Sequence, residues 1–258
     1  MSKIKISVVL ANFNHSYFLK KRIESFYQQS LKPYEVIVIN DESTDNSLDI
    51  LNNLSQIYKN LLIINNKKNL GPMISTNIGI DRAKGDILFI CAADDIIVNK
   101  NFFLNGAGAF EDPKINYFLS NPLMAFQGTK NSIKFIKDRS LELLGNNSSY
   151  FSADDYLNLQ RKKNFHIYGH SSLIRKKALI DVGYYRDELK WYCDWLVNHS
   201  ICIRSGFYFD SFFYCAHRIS DNQYSKINNN FRSNLALVKK LNNIILNGVK
   251  KNIVIKLK

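Results

Sequence analysis

A chain of 258 residues, 46 % of them apolar, is long enough for one large domain or two small ones and apolar enough for a sizeable core. No stretch approaches the roughly 20 unbroken apolar residues of a membrane span. The start, MSKIKISVVLANFN, lacks a small-residue cleavage site, so a leader is not expected and the cytoplasm is the expected compartment. The net charge of +13 is uneven, because from Asn222 onward there are eight basic residues and no acid. That balance suggests an anionic partner for the tail, but no nucleic-acid module accompanies it and nucleic acid is not expected.

The first hundred residues alternate regularly. KISVVLA reads as a strand and SYFLKKRIESFYQQS as a helix; YEVIVIN is a second strand, and STDNSLDILNNLSQIY a second helix with Ser43 or Thr44 as its N-cap. NLLIIN is a third strand. GPMISTNIGIDRAKG gives a third helix, opened by Pro72 and closed by Gly85, and DILFICA is the fourth strand. Continuous apolar strands separated by helices predict an α/β fold with a mostly parallel sheet covered on both faces.

Beyond Asn99 the alternation fades into a mixed α+β region. YFLSNPLMAF and NSIKFIKDR read as strands and SADDYLNLQRK as a helix. HSSLIRKKALIDVGYY leads into a helix stopped by Gly183, DWLVNHSICIRSG is a helix closed by Gly206, and FYFDSFFYCAHRIS forms one or two strands. No linker-like stretch separates the halves. The expected organisation is therefore residues 1–99 and 100–221 as two functional halves of one domain, followed by a basic tail, 222–258. The tail mixes Leu, Ile and Val with lysines, as an interfacial helix on an anionic membrane does, or as a helix packed on the body with its lysines outward. The four cysteines show no CxxC or metal-ligand spacing and read as buried hydrophobes.

In open parallel sheets, ligands bind beyond the carboxyl ends of the strands, where the strand order reverses. Three such ends are polar: Asn12 to Asn14, Asn40 to Glu42, and Asp94 with Asp95. There is no GxGxxG after the first strand and no GxxxxGK[ST], which disfavours a dinucleotide fold or a P-loop. Carboxylates and phosphate coexist when a divalent cation lies between them, and their oxygens are the preferred shell of Mg²⁺ or Mn²⁺. The alternative is that Asp94 and Asp95 open a helix at IIVNKNFF. A second acid pair, Asp154 and Asp155, reads as helix capping with Ser152.

With these parts in order, residues Ile4 to Ser220 resemble glycosyltransferase family 2, the inverting GT-A enzymes that use nucleotide-diphosphate sugars. ISVVLANFN…LKKRIESFYQQSLKPYEVIVINDESTDNS is similar to that family's opening, NLGPMISTNIGIDRAKGDILFICAADD to its helix leading into the metal-binding strand, and GHSSLIRKKALIDVGYYRDELKWYCDW with AHRIS, more weakly, to its second half. The resemblance implies a GT-A Rossmann-like sheet and a hexosyl or N-acetylhexosaminyl transfer from a donor, UDP favoured, to a glycan or lipid-linked glycan. It implies a role in cell-surface polysaccharide synthesis, and a lipid-linked acceptor would suit the first of the two readings of the tail, peripheral on the inner membrane face. Ala11 and Phe13 would flank the donor base, Asp41 would accept from a base ring N–H, and Asp94 would contact the ribose or support the metal. Asp95 and His217 would hold Mn²⁺ or Mg²⁺, and Asp194 would be the general base. His170, Trp191 and Trp195 would line the acceptor pocket, with both tryptophans able to desolvate Asp194.

The chain departs from the family pattern at several positions. Asn40 replaces the first Asp of the usual pair, Glu42 the usual Gly, Ala92 the first metal-motif acid, Thr76 a frequent Arg, and Cys193 a frequent Glu. Two alternatives follow: a non-catalytic sugar- or nucleotide-binding relative, or a metal-dependent nucleotidyltransferase, against which the glycine-free ANFNHSYFLKKR counts.

Overall fold

The computed structural model describes residues 4–127, 132–162, 165 and 167–219, without the side chains of Gln127 and Trp191. The expected tail, 222–258, lies outside the described residues.

Runs of β-branched residues between amphipathic helices set the first half. Strands β1 (Ile6–Asn12), β2 (Glu35–Asn40), β3 (Leu61–Asn65) and β4 (Ile87–Cys91) are parallel in the order β3-β2-β1-β4. Alternate residues serve opposite faces. Val8 and Leu10 pack with Leu19, Ile23 and Phe26 of α1 (Ser16–Tyr27) and Leu51 of α2 (Ser47–Ile57). Val9 and Ile39 pack with Ile80 of α3 (Pro72–Arg82). A side chain at Gly79 would put its Cβ 2.5 Å from Val9 and 2.6 Å from Ile39, so glycine is what lets α3 lie this close to the sheet.

The same sheet continues through the second half. β5 (Ile96–Ile97), α4 (Phe102–Ala109), β6 (Tyr117–Gln127), β7 (Ile133–Lys137), β8 (Ser149–Phe151) and α5 (Ala153–Gln160) come first. β9 (Ser172–Arg175), α6 (Lys176–Val182), α7 (Cys193–Ser205) and β10 (Phe207–Ile219) complete the described chain. The order extends β4-β9-β6-β10-β5, with β7 on β6 and β8 on β10. β9 is antiparallel to both β4 and β6, whereas β10 runs parallel to β6.

Several local expectations change. α2 starts after Asn46 rather than at Ser43 or Thr44, whose groups bond instead to Asn12 and Asn14. α3 ends at Arg82. Gly85 does not cap it but allows close approach to β1, since a Cβ there would lie 2.7 Å from the Ser7 nitrogen and 2.8 Å from the Lys5 carbonyl. Asp94 and Asp95 open no helix, because Ile96 and Ile97 pair with β10 and α4 begins at Phe102. Ser152 and Asp155 form the expected capping box, and Gly183 the left-handed cap of α6. The cysteines are free thiols, three buried and Cys91 half-buried.

Candidate active site

β1 lies between β2 and β4, so the strand order reverses beside it and the polar strand ends converge on one crevice. The Asn12 amide donates to Asn40 Oδ1 and Ser43 Oγ, each at 3.1 Å, and Asn40 Nδ2 donates to Asn65 Oδ1 at 2.7 Å. Asn40 therefore links three strand ends as both donor and acceptor, which an ionised Asp could not do. Asp45 receives the Ser16 and Ser47 N–H groups at 2.9 and 3.0 Å, joining the starts of α1 and α2. Burial would raise the Asp45 carboxyl, but the Ser47 and Ser16 hydrogen bonds outweigh it and hold the pKa at about 2.

Asp41 is buried. Its Oδ1 accepts from Asn66 Nδ2 (2.7 Å) and Leu70 N (2.9 Å), and its Oδ2 from Gly71 N (2.8 Å). A carboxylate offers about four lone-pair directions, so one remains for a further donor. Glu42, in the place of the family glycine, has a left-handed backbone (φ 61°) and accepts from Asn69 N at 2.8 Å. Phe13 is 45 % exposed at the crevice rim, and Ala11 is half-buried beneath it.

The second cluster joins distant parts of the chain. The buried Asp95 carboxylate meets His217 Nδ1 of β10 at 3.0 Å. His170, from the 3-10 turn Gly169–Ser171, stacks on His217 with ring centroids 5.2 Å apart. Burial would raise Asp95, but the His217 hydrogen bond and the neighbouring positive charges, Arg22 among them, hold it below its ordinary value. Burial and the charge of Asp95 push Asp94 up. Desolvation pulls His170 down to about 4, leaving a neutral imidazole whose buried Nε2 has no hydrogen-bond partner among the described residues.

Two cations here escaped the sequence reading. Arg22 is 3 % exposed, packs on the rings of Phe26 and Phe89 at 4.9 and 5.5 Å, and makes no hydrogen bond to an oxygen among the described residues. Its charge reaches Asp95 and thereby supplies part of the positive charge the acid pair requires. The signal was present: Leu19, Arg22, Ile23 and Phe26 are the buried stripe of α1, and an arginine in such a stripe needs a reason. Arg218 donates through Nε to the Asp94 carbonyl at 3.1 Å and lies over Phe18.

Among the described residues no three His, Cys, Asp or Glu side chains are grouped to hold a metal by themselves. The Asp95 carboxylate, beside Asp94, is nevertheless a hard oxygen donor of the type Mg²⁺ and Mn²⁺ accept, and the His217 imidazole adds a borderline nitrogen donor better suited to Mn²⁺ than to Mg²⁺. A shell with few protein donors suits an ion that brings phosphate oxygens and water with it. The residues fit such an ion.

Asp194 comes from a different element, the first turn of α7, where its Oδ1 accepts from Trp195 N at 2.7 Å. It is exposed. Trp195 packs on the buried His199, 4.1 Å between rings, which is hydrogen-bonded to Tyr156. The Trp191 side chain lies outside the described residues.

A family model described as glycosyl transferase family 2 matches residues 7–183. A GalNAc(5)-diNAcBac-PP-undecaprenol beta-1,3-glucosyltransferase of Campylobacter jejuni is 27 % identical over 192 residues, covering 72 % of this chain and 58 % of that protein. The structure of S. aureus TarS 1–349 with UDP-GlcNAc superposes with a TM-score of 0.66 at 16 % identity, over 86 % of this chain and 60 % of TarS 1–349. The mannosyltransferase PcManGT from Pyrobaculum calidifontis, with GDP-Man and Mn²⁺, gives a TM-score of 0.59 at 14 % identity, over 86 % and 59 %. At these identities the structures share the fold, which is GT-A. The chain spans less than half the length of the first curated relatives it matches.

Proposed function

The chain belongs to glycosyltransferase family 2, and from that premise we propose that it moves a hexosyl or N-acetylhexosaminyl group, with inversion, from UDP-sugar to a hydroxyl of a glycan or lipid-linked glycan in cell-surface polysaccharide synthesis. The observation that carries this reading is the meeting of Asp95 and His217, next to Asp94, past the carboxyl end of β4, on the same edge of the parallel sheet as an Asp41 with one acceptor direction left. UDP-GlcNAc in one fold neighbour, and GDP-Man with Mn²⁺ in another, support a nucleotide-sugar donor and a divalent ion.

In this mechanism residues 1–99 hold the donor and residues 100–221 the acceptor. Asp41 takes the ring N–H of the base, Ala11 and Phe13 flank it, and Asp94 contacts the ribose. Asp95 and His217 hold Mn²⁺ or Mg²⁺, which when bound supplies Lewis-acid stabilisation to the diphosphate. Arg218, at the mouth beside Asp94, adds a fixed positive charge toward the same group. Asp194, exposed in the first turn of α7, takes the proton of the acceptor hydroxyl. The acceptor oxygen bonds to the anomeric carbon as the carbon–oxygen bond to the diphosphate breaks, and the electron pair leaves with UDP. General-base assistance contributes roughly 10²–10⁴-fold in rate. His170, Trp191 and Trp195 border the acceptor.

No helix of the described residues is long and apolar enough to cross a membrane. The basic tail is assigned to the inner membrane face, which suits a lipid-linked acceptor of the kind named for the Campylobacter jejuni relative.

Calorimetric titration with UDP, in Mn²⁺ and again in EDTA, tests the donor site, and a screen of UDP-sugars with Asp194→Asn tests the chemistry. The reading expects metal-dependent UDP binding retained in Asp194→Asn and turnover lost. Nucleotide binding without turnover in the wild type would make the chain a non-catalytic relative.

A further inference from the structure

All five residues of β7 (IKFIK) are exposed. Ile133, Phe135 and Ile136 are 37, 44 and 40 % exposed, so apolar side chains stand on both faces, interleaved with Lys134 and Lys137. Among the described residues β7 pairs only with β6, and no described strand lies along its other edge. The acids that follow are engaged elsewhere: Asp138 accepts from Tyr168 Oη and Ser140 N, and Glu142 pairs with Arg139. Lysines alone suffice to guard an edge strand against pairing. Three large apolar side chains beside them are a cost in water and an advantage at a lipid headgroup boundary, where apolar groups enter and lysines meet anionic lipid.

The register places this edge usefully. His217 is paired with Met124, and Met124 with Ile136, so Ile136 lies two strand spacings, about 10 Å, from the Asp95–His217 cluster. Ile219, the last described residue, is paired with Phe126, and Phe126 with Lys134. Ile219 therefore shares a rung with Lys134, and the acid-free basic stretch of the sequence begins three residues later, at Asn222.

We propose that the exposed β7 edge is a docking surface for an anionic lipid bilayer, distinct from the tail and oriented so that the crevice at His217 opens beside the membrane plane. The surface stands independently of the donor and the reaction assigned above. Its occupant is a bilayer rather than a soluble protein, because two lysines and three large apolar residues are interleaved along a strand that carries no acid.

The test uses the full chain with vesicles of phosphatidylcholine, with and without phosphatidylglycerol. Lys134→Gln with Lys137→Gln is expected to weaken partition onto the anionic vesicles by roughly 20–30-fold, about 5-fold per lysine, with UDP binding unchanged. In a Phe135→Trp variant, the tryptophan emission in excess of wild type is expected to shift to the blue on anionic vesicles and to be quenched by brominated acyl chains. Undiminished partition of the double variant, or excess emission from Phe135→Trp that is indifferent to vesicles, would overturn the proposal. Lipid-independent self-association abolished by Phe135→Ser would assign the edge to a second copy of the chain and overturn it equally. Loss of vesicle binding with intact nucleotide binding separates this surface from the catalytic reading.

Discussion

Replacing Asp41 by Asn tests whether this carboxylate is the anchor of the turn that leads into α3. The change preserves size and leaves one oxygen. With that oxygen in the Oδ1 position, the bonds from Asn66 Nδ2 and Leu70 N persist but lose their charge, and the new amide faces the Gly71 N–H as donor against donor. Gly71 N retains a second acceptor in Asn69 Oδ1 at 3.0 Å, so it is not wholly orphaned. A hydrogen bond to a charged group contributes about 1.5–3 kcal/mol, and with partial compensation the loss is about 2 kcal/mol. For a chain of this size that is roughly 4–8 °C in Tm. Thermal unfolding at pH 7, checked by urea titration, reads the stability, and calorimetry reads UDP affinity in the same preparations. Both are expected to fall. A Tm within about 1 °C of wild type would refute the reasoning, because three donors converging on a buried carboxylate would then contribute nothing to the fold.

Glu42→Gly removes the Asn69 N contact but relaxes the left-handed backbone, so stability is expected to stay within about 1 kcal/mol of wild type, whereas the β-branched Glu42→Val is expected to lose about 1–3 kcal/mol in urea titration. Asp45→Ala frees the N–H groups of Ser16 and Ser47 and is expected to cost about 1–2 kcal/mol at pH 7. Because the folded pKa of Asp45 is depressed to about 2, its contribution is fully present above the unfolded value of about 4 and fades as the pH falls through about 2, so wild type and variant should converge there. Arg22→Met keeps the packing on Phe26 and Phe89 but leaves the buried Asp95 with less compensating charge; a loss of roughly 1–3 kcal/mol is expected, below the roughly 3–5 kcal/mol of a directly bonded buried pair. Asp95 is also depressed, so that gap should be present at neutral pH and narrow on acidification as Asp95 takes a proton; a gap independent of pH would assign the effect to packing alone.

Much of the first half could be read directly, because what decides it is local. EVIVIN can only be a strand buried on both faces, Pro72 can only open a helix, and Ser152 finds Asp155 three residues away whatever the rest of the chain does. The same local view misplaced the N-cap of α2 and gave Gly85 a capping role. Ser43 and Thr44 were already committed to Asn12 and Asn14 across the crevice, and Gly85 was required by the passing backbone of β1. Pattern and motif together named Asp41, Asp94, Asp95 and His217 as residues of interest. Their surroundings were decided in three dimensions: Asp95 and His217 are 122 residues apart and meet only because β10 pairs with β5. Asp41 is held by backbone N–H groups that carry no sequence signature. Arg22 was overlooked although it is a charge in an apolar stripe, and only the packing of α1 against β4 turned its charge toward Asp95. Periodicity is fixed by neighbours a few residues apart along the chain, whereas the charge balance of a crevice is a sum over groups that long-range strand register alone brings together.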